Sequence, residues 1–262
     1  MTAVVTQTMT QTWWMTHRRL KALVRQPAVV GMLLFQPAVW LFLFGNLFRK
    51  VTELPGFGTG SYLDYLVPGV VVMSAVSSNM WSGMGVIEEI ERGTLNRFLT
   101  TPVRRGAIMN GSVVEQGLTT AIQSVLIVVL GGLAGADYPG GFTGLAVLVV
   151  ASVLLGTVFS ALSNAMGMMV REREAIIGMS VFLLLPLTFL SSAFMAKSLM
   201  PVWMQHAAAA NPITWSLDAA RAAMAANPDW GAVAIHGGWL VALAAATVWL
   251  STLTFRSYQR SV

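Results

Sequence analysis

Cysteine is absent from the 262 residues, which excludes disulfide frameworks and thiolate metal sites and leaves the redox compartment unread. Charge is scarce: Asp, Glu, Lys and Arg make up 10% of the chain, against about 25% in ordinary globular proteins. Lysine occurs only at 21, 50 and 197 and never follows glycine. A Gly-Lys-Ser/Thr loop, whose amides and lysine cradle a nucleotide's phosphates, is therefore missing, and the chain is not expected to bind ATP by that route. Histidine stands only at 17, 206 and 236, too dispersed for an expected metal cluster. Ser82-Gly83 lacks the glycine that would precede the serine in an intramembrane protease turn. No catalytic constellation is expected, and no cofactor in this chain. The formal net charge of +5 is no nucleic-acid signal, because basic residues of membrane proteins collect in cytoplasmic loops.

What is abundant is apolar. Hydrophobic residues make up 55% of the chain, too many to bury in a soluble core of this length. The composition specifies an all-α, polytopic membrane protein. Six apolar runs near the ~20-residue spanning length fall at Val29–Phe48, Tyr65–Val86, Val113–Ala134, Thr143–Met168, Ala175–Lys197 and Val233–Phe255. The first has full spanning length and no small-residue cleavage pattern, so it is expected to be a span rather than a signal peptide. Residues 1–28 form a tail ahead of a six-span transmembrane domain at 29–262. Within the tail, Met9 to Gln26 reads as an amphipathic interfacial helix, with Met9, Trp13, Leu20, Leu23 and Val24 on one face and Arg18, Lys21 and Arg25 elsewhere. Twelve basic residues lie in the two tails and the connectors after spans two and four; Arg49, Lys50, Lys197 and Arg221 are on the other side. The positive-inside rule then places both termini in the cytoplasm of a multi-pass protein of the cell membrane.

Between spans two and three lies a charged stretch, Ile87 to Gly106, which must sit in water. Gly93 interrupts its helical run, and Thr94 is suited to cap a new short helix. Leu95, Phe98 and Leu99 fall at i, i+3 and i+4, and Pro102 ends the element. An apolar ridge of this kind, flanked by Arg97, Arg104 and Arg105, suits either a partner's groove or a lipid surface. Between spans five and six, Ser198 to Ala232 is too long for a tight turn. There Asn211-Pro212 supplies a break, Thr214 is a candidate cap, Asp218 and Arg221 are spaced to pair, and Leu217, Ala220 and Met224 share a face. A short helix dipping into the outer leaflet is the expectation.

The span interiors carry no ionisable residue; Glu115 lies near the cytoplasmic end of span three. Ser77, Ser78, Asn79, Gln123, Ser160, Ser163 and Asn164 are polar but uncharged. Helix–helix hydrogen bonding is their default role, with a translocation path through Ser77, Ser78, Asn79, Ser160 and Asn164 as the alternative. Glycines at Gly83, Gly85 and from Gly131 to Gly141 read as close helix contacts and a turn. Ion-coupled transporters need ionisable groups at membrane depth, so a secondary transporter is the weaker reading and energy is expected from outside the chain.

The run Glu91-Arg92-Gly93-Thr94-Leu95, followed by Phe98-Leu99 and Thr101-Pro102, resembles the cytoplasmic loop of type-2 ATP-binding-cassette exporter permeases, nearest to the daunorubicin-resistance-like group. Asn211-Pro212-Ile213-Thr214, with Asp218 and Arg221, resembles the same family's outer-loop motif. Asn96 stands where that family often has an acidic residue. The resemblance covers nearly the whole chain and implies a half-transporter: two permease subunits, identical or paralogous, driven by two cytoplasmic ABC ATPase subunits that hold the ATP and magnesium. It implies a coupling helix in which Glu91, Arg92, Gly93, Thr94, Leu95, Arg97, Phe98, Leu99 and Pro102 meet the ATPase. It also implies outward movement of amphipathic drugs, natural products or lipids.

Overall fold

The structure, a computed structural model, describes residues 27–53, 61–91, 105–170 and 172–261. The expected interfacial helix at Met9–Gln26 and the expected coupling helix at Thr94–Leu99 lie outside the described residues. All described regular structure is helical: α1 Pro27–Leu47, α2 Tyr62–Met80, α3 Ser82–Glu91, α4 Arg105–Leu133, α5 Gly141–Val170, α6 Arg173–Phe189, α7 Val202–Ala209, α8 Pro212–Met224 and α9 Trp230–Ser261. Short 3₁₀ turns cover Arg49–Glu53 and Lys197–Leu199. Among the described residues, four stretches are long and apolar enough to cross a membrane: Tyr62–Glu88, Val114–Leu133, Gly141–Val170 and Trp230–Thr254. The apolar Leu34–Leu47 of α1 is shorter. At 17 residues, α6 is roughly 25 Å long, short of a ~30 Å hydrocarbon core.

Local chemistry explains the starts and stops. Ser61 caps α2 by accepting from the Leu63 amide at 3.1 Å, while Asp64 reaches back to the Ser61 amide at 2.9 Å, a reciprocal capping box. The other Asp64 oxygen accepts from the Asp137 amide at 2.8 Å, which ties the α4–α5 connection to the same end of α2. Gly135, at φ 96°, takes the left-handed conformation that ends α4. Nearby, the Tyr138 hydroxyl donates to the Val128 carbonyl. Burial, and then the Asp64 charge, pushes it up to about 12, so it stays a neutral donor at any physiological pH.

α5 is the central column, packed against α2, α3, α4, α6, α8 and α9. Small residues let the neighbours in. A Cβ at Gly144 would meet the Ala223 carbonyl of α8 at 2.8 Å, and one at Gly167 would meet the Gly83 carbonyl of α3 at 2.7 Å. Close backbone approach is what holds helices together where apolar burial gives no preference over lipid. Leu66, Val67, Val71, Val72, Leu148, Leu155, Leu217 and Leu240 fill the core between these columns.

Three sequence expectations are corrected. The fifth span does not run to Lys197: α6 stops at Phe189, and the chain is non-helical through Leu190–Ala196. Leu190-Ser-Ser-Ala-Phe is apolar enough to read as span, but its carbonyls are captured by side chains from other elements. Thr214 does not cap α8. Asn211 does, accepting from the Ile213 amide at 3.0 Å, with Pro212 at the first helical position, where its missing N–H costs nothing. Asp218 and Arg221 make no ion pair with each other: Asp218 meets Lys197 and His236, and Arg221 bonds Tyr65, Ser192 and Ala193. The Leu217, Ala220 and Met224 face is buried.

Candidate functional site

A cavity of about 370 Å³ opens between α1, α2, α4 and α6, within the range of about 300–1,000 Å³ common for small-molecule sites. Gln36, Ser74, Ser77, Ser78, Gln123 and Thr188 supply polar groups, and Trp40, Trp81, Phe189 and Phe194 supply aromatic walls. Trp40 stacks on Phe194 with ring centroids 5.3 Å apart and on Phe44 at 4.5 Å. Ser78 donates to the Ser74 carbonyl at 2.8 Å and lies 3.3 Å from Oε1 of Gln123. The described lining holds no ionisable side chain. Such a surface can stack on flat apolar groups and hydrogen-bond neutral polar ones.

Of the sequence's five path residues, Ser77 and Ser78 line this cavity. Asn79, Ser160 and Asn164 do not; they are buried where α2 and α3 meet α4 and α5. Asn79 Nδ2 donates to Thr120 and to the Ala75 carbonyl, both at 2.8 Å. The Ser160 carbonyl accepts from Ser82 at 3.2 Å.

That junction encloses a break in the second span. The helix turns at Trp81, so the Met80 carbonyl loses its regular partner and the Met84 amide bonds Trp81 instead, at 3.1 Å. A bare carbonyl at membrane depth is expensive. Ser163 of α5 answers it, donating to the Met80 carbonyl at 2.6 Å and accepting from the Gly83 amide at 2.9 Å. Ser180 of α6 lies 3.4 Å from the same carbonyl.

A second polar assembly holds Leu190–Ala196. Arg221 of α8 donates to the carbonyls of Ser192 at 2.8 Å, Ala193 at 3.4 Å and Tyr65 at 3.1 Å. Its guanidinium lies 3.6 Å above the Tyr65 ring, a cation–π geometry. The Tyr65 hydroxyl donates to the Ser192 carbonyl at 2.6 Å, and the Tyr62 hydroxyl to that of Phe194 at 3.2 Å. Asn211 donates to the carbonyls of Leu187 and Leu190 at 2.6 and 3.1 Å, and Thr214 accepts from the Ser192 amide at 3.3 Å. Asp218 serves a different set: Lys197 Nζ at 2.5 Å and His236 Nε2 at 3.6 Å. Asn211, Thr214, Asp218 and Arg221 thus make tertiary contacts, a signal that spacing along one helix could not carry.

At the opposite end of the bundle, Glu91 closes α3 and accepts from Arg173, the first residue of α6. The pair is half-exposed. The hydrogen bond and charge of Glu91 hold the Arg173 guanidinium above its usual range. Arg92, Gly93, Thr94, Leu95, Arg97, Phe98, Leu99 and Pro102 lie outside the described residues.

A bundle with a charge-free cavity and a broken second span matches known proteins along most of its length. Residues 10–225 match the ABC-2 type transporter family. The chain belongs to that family. A daunorubicin resistance ABC transporter permease of Streptomyces coeruleorubidus is 30% identical over 97% of this chain and 87% of its own length. The inner membrane transport permease YadH of Escherichia coli K12 is 25% identical over 78% of this chain and 77% of its own. This ABC-2 permease is accordingly a multi-pass membrane protein, and its family implies an ABC ATPase partner in general.

Proposed function

We propose that this chain is the permease subunit of an ATP-driven exporter that moves amphipathic drugs, natural products or lipids out of the cytoplasm. The observation that carries the reading is electrostatic. Among the described residues lining the cavity there is no Asp, Glu, Lys or Arg, so it is polar without charge. Nothing of the kind needed to bind and release a coupling ion is present in it, so the energy comes from a partner. Two cytoplasmic ABC ATPase subunits, holding ATP and magnesium, drive two permease copies or a permease and its paralogue in the surrounding lipid. In this reading the Glu91–Arg173 end faces the cytoplasm and α7 and α8 the outer side, an orientation that the basic asymmetry of the connectors supports. The relative named for daunorubicin resistance supplies a practical probe.

The test is daunorubicin accumulation, read by its fluorescence, in cells expressing the permease with its cognate ABC ATPase. Accumulation is expected to fall only when both subunits are present and the ATPase is active. An unchanged level with both present removes daunorubicin-type drugs from the substrate range. A fall that survives inactivation of the ATPase sinks the ATP-driven reading in favour of secondary transport.

A further inference from the structure

The segment Leu190–Ala196 sits between the cavity and the outer face. Phe194 is part of the cavity wall, stacked on Trp40, while the backbone just before it, Ser191 to Ala193, is buried. At its start the Leu190 and Ser191 amides bond the Pro186 and Thr188 carbonyls of α6, and the Ala193 amide bonds Ser191 Oγ. The carbonyls of Leu190, Ser192, Ala193 and Phe194 and the Ser192 amide are bonded instead by side chains from two other elements, Tyr62 and Tyr65 of α2 and Thr214, Arg221 and the capping Asn211 of α8. Non-helical backbone at membrane depth is tolerated only where protein covers it and supplies such partners. A helix carries its own hydrogen bonds when it moves; this segment leaves its partners behind as soon as α2 and α8 separate. It therefore has one well-bonded position, set by the relation between those two helices.

We infer that Arg221 and Tyr65 latch Leu190–Ala196 as the outer closure of the cavity, and that release of this latch opens the path outward. Arg221 is the residue that senses both helices at once, since it bonds the Tyr65 carbonyl on α2 as well as Ser192 and Ala193 on the segment. Its Nε is buried without a partner, so the closed arrangement leaves one of its donors unused. The fit is close: a Cβ at Gly69 of α2 would lie 2.5 Å from the Ala193 carbonyl. Asp218 is no part of the latch, being engaged with Lys197 and His236. Arg221 is a positioning residue in this scheme; it acts on the segment, not on the cargo. The inference rests on the reading of the cavity as the export path.

The natural absence of cysteine makes the test direct. Phe194→Cys, and separately Ala193→Cys, places a single thiol on the segment in the full permease co-expressed with its ATPase. Intact cells are treated with a membrane-impermeant maleimide. Labelling is expected to be slow in the otherwise unaltered chain. Tyr65→Phe, which deletes one hydroxyl and keeps the ring, should raise the rate about three- to tenfold, the population change expected from losing one hydrogen bond. Arg221→Lys should raise it further, and inactivating the ATPase should lower the unaltered rate. A role confined to holding the fold together would not make labelling follow ATPase activity. Rapid labelling of both thiols in the unaltered background, or equal rates across the variants in well-folded protein, overturns the latch. Faster labelling with unchanged daunorubicin efflux also overturns it, because the segment would then be held without closing the path. If labelling responds to ATPase activity and to both latch variants while no chain exports daunorubicin, the latch stands and the assigned cargo falls.

Discussion

Glu91, the last residue of α3, accepts a hydrogen bond from Arg173, the first residue of α6, at 2.5 Å. The two are 82 positions apart, and they join the beginning of the charged stretch after span two to the start of α6. Both are about half exposed, and exposed pairs contribute little to stability. The value of the pair is positional. Glu91→Ala and Arg173→Ala are expected to leave expression and detergent melting unchanged while lowering ATP-dependent efflux. The charge swap, Glu91→Arg with Arg173→Glu, should restore part of it. A melting scan beside an efflux assay checks this, and single variants with full efflux would remove the pair from coupling.

Orientation is checked independently. Reporter fusions at Val262 and within Thr52–Tyr62 are expected to lie in opposite compartments, with Val262 cytoplasmic. Two fusions in the same compartment would refute the topology.

Asp218 is expected to matter for the outer cap and not for docking of the ATPase. His236 Nδ1 lies 2.9 Å from the Ala232 carbonyl, and its Nε2 faces Asp218. At 3.6 Å that nitrogen is beyond hydrogen-bond distance of the carboxylate, whereas Lys197 Nζ lies at 2.5 Å. Lys197 therefore supplies the main partner. Asp218→Asn should lower stability by about 1 kcal/mol or less, as for a partly exposed ion pair. Co-purification of the ATPase should be unaffected; its loss would show that this end of the bundle faces the cytoplasm.

The apolar ridge Leu95, Phe98 and Leu99 is expected to seat the ATPase. Burying a phenylalanine is worth roughly 1.5–3 kcal/mol. Phe98→Ala should therefore weaken association by about tenfold or more, since 1.4 kcal/mol is one decade. Insertion of the spans should not change, because the ridge belongs to a charged connector of the sequence and not to an apolar run. Co-purification at matched expression measures the effect. Full association in Phe98→Ala, Leu95→Ala and the double variant would leave the ridge as a lipid-facing surface.

The positions of the apolar columns were legible because hydrophobic length is a local property of the chain. Helices stand at all six places where such runs occur. What was not legible is long-range. Met80, Trp81 and Ser82 are ordinary helix residues, and the turn there is stabilised by Ser163, some eighty positions on. Leu190–Phe194 reads as span until Tyr65, Asn211 and Arg221 are brought against it. Asp218 and Arg221 have the spacing of a helix pair, yet Lys197, His236 and Tyr65 compete successfully for them. The same holds at the cavity: Ser77 and Ser78 are adjacent to Asn79 in sequence, but the pitch of α2 leaves them on the cavity wall and buries Asn79 against Thr120 of α4.

The break at Trp81 also sets a mechanical ratio. α3 is ten residues long, or about 15 Å. A tilt of about 10° at its upper end therefore swings Glu91 sideways by roughly 2–3 Å. Through the Glu91–Arg173 pair that end of α3 is joined to the start of α6, whose far end leads directly into Leu190. The break at Trp81 thus leaves α3 as a short arm between the serine junction and that pair.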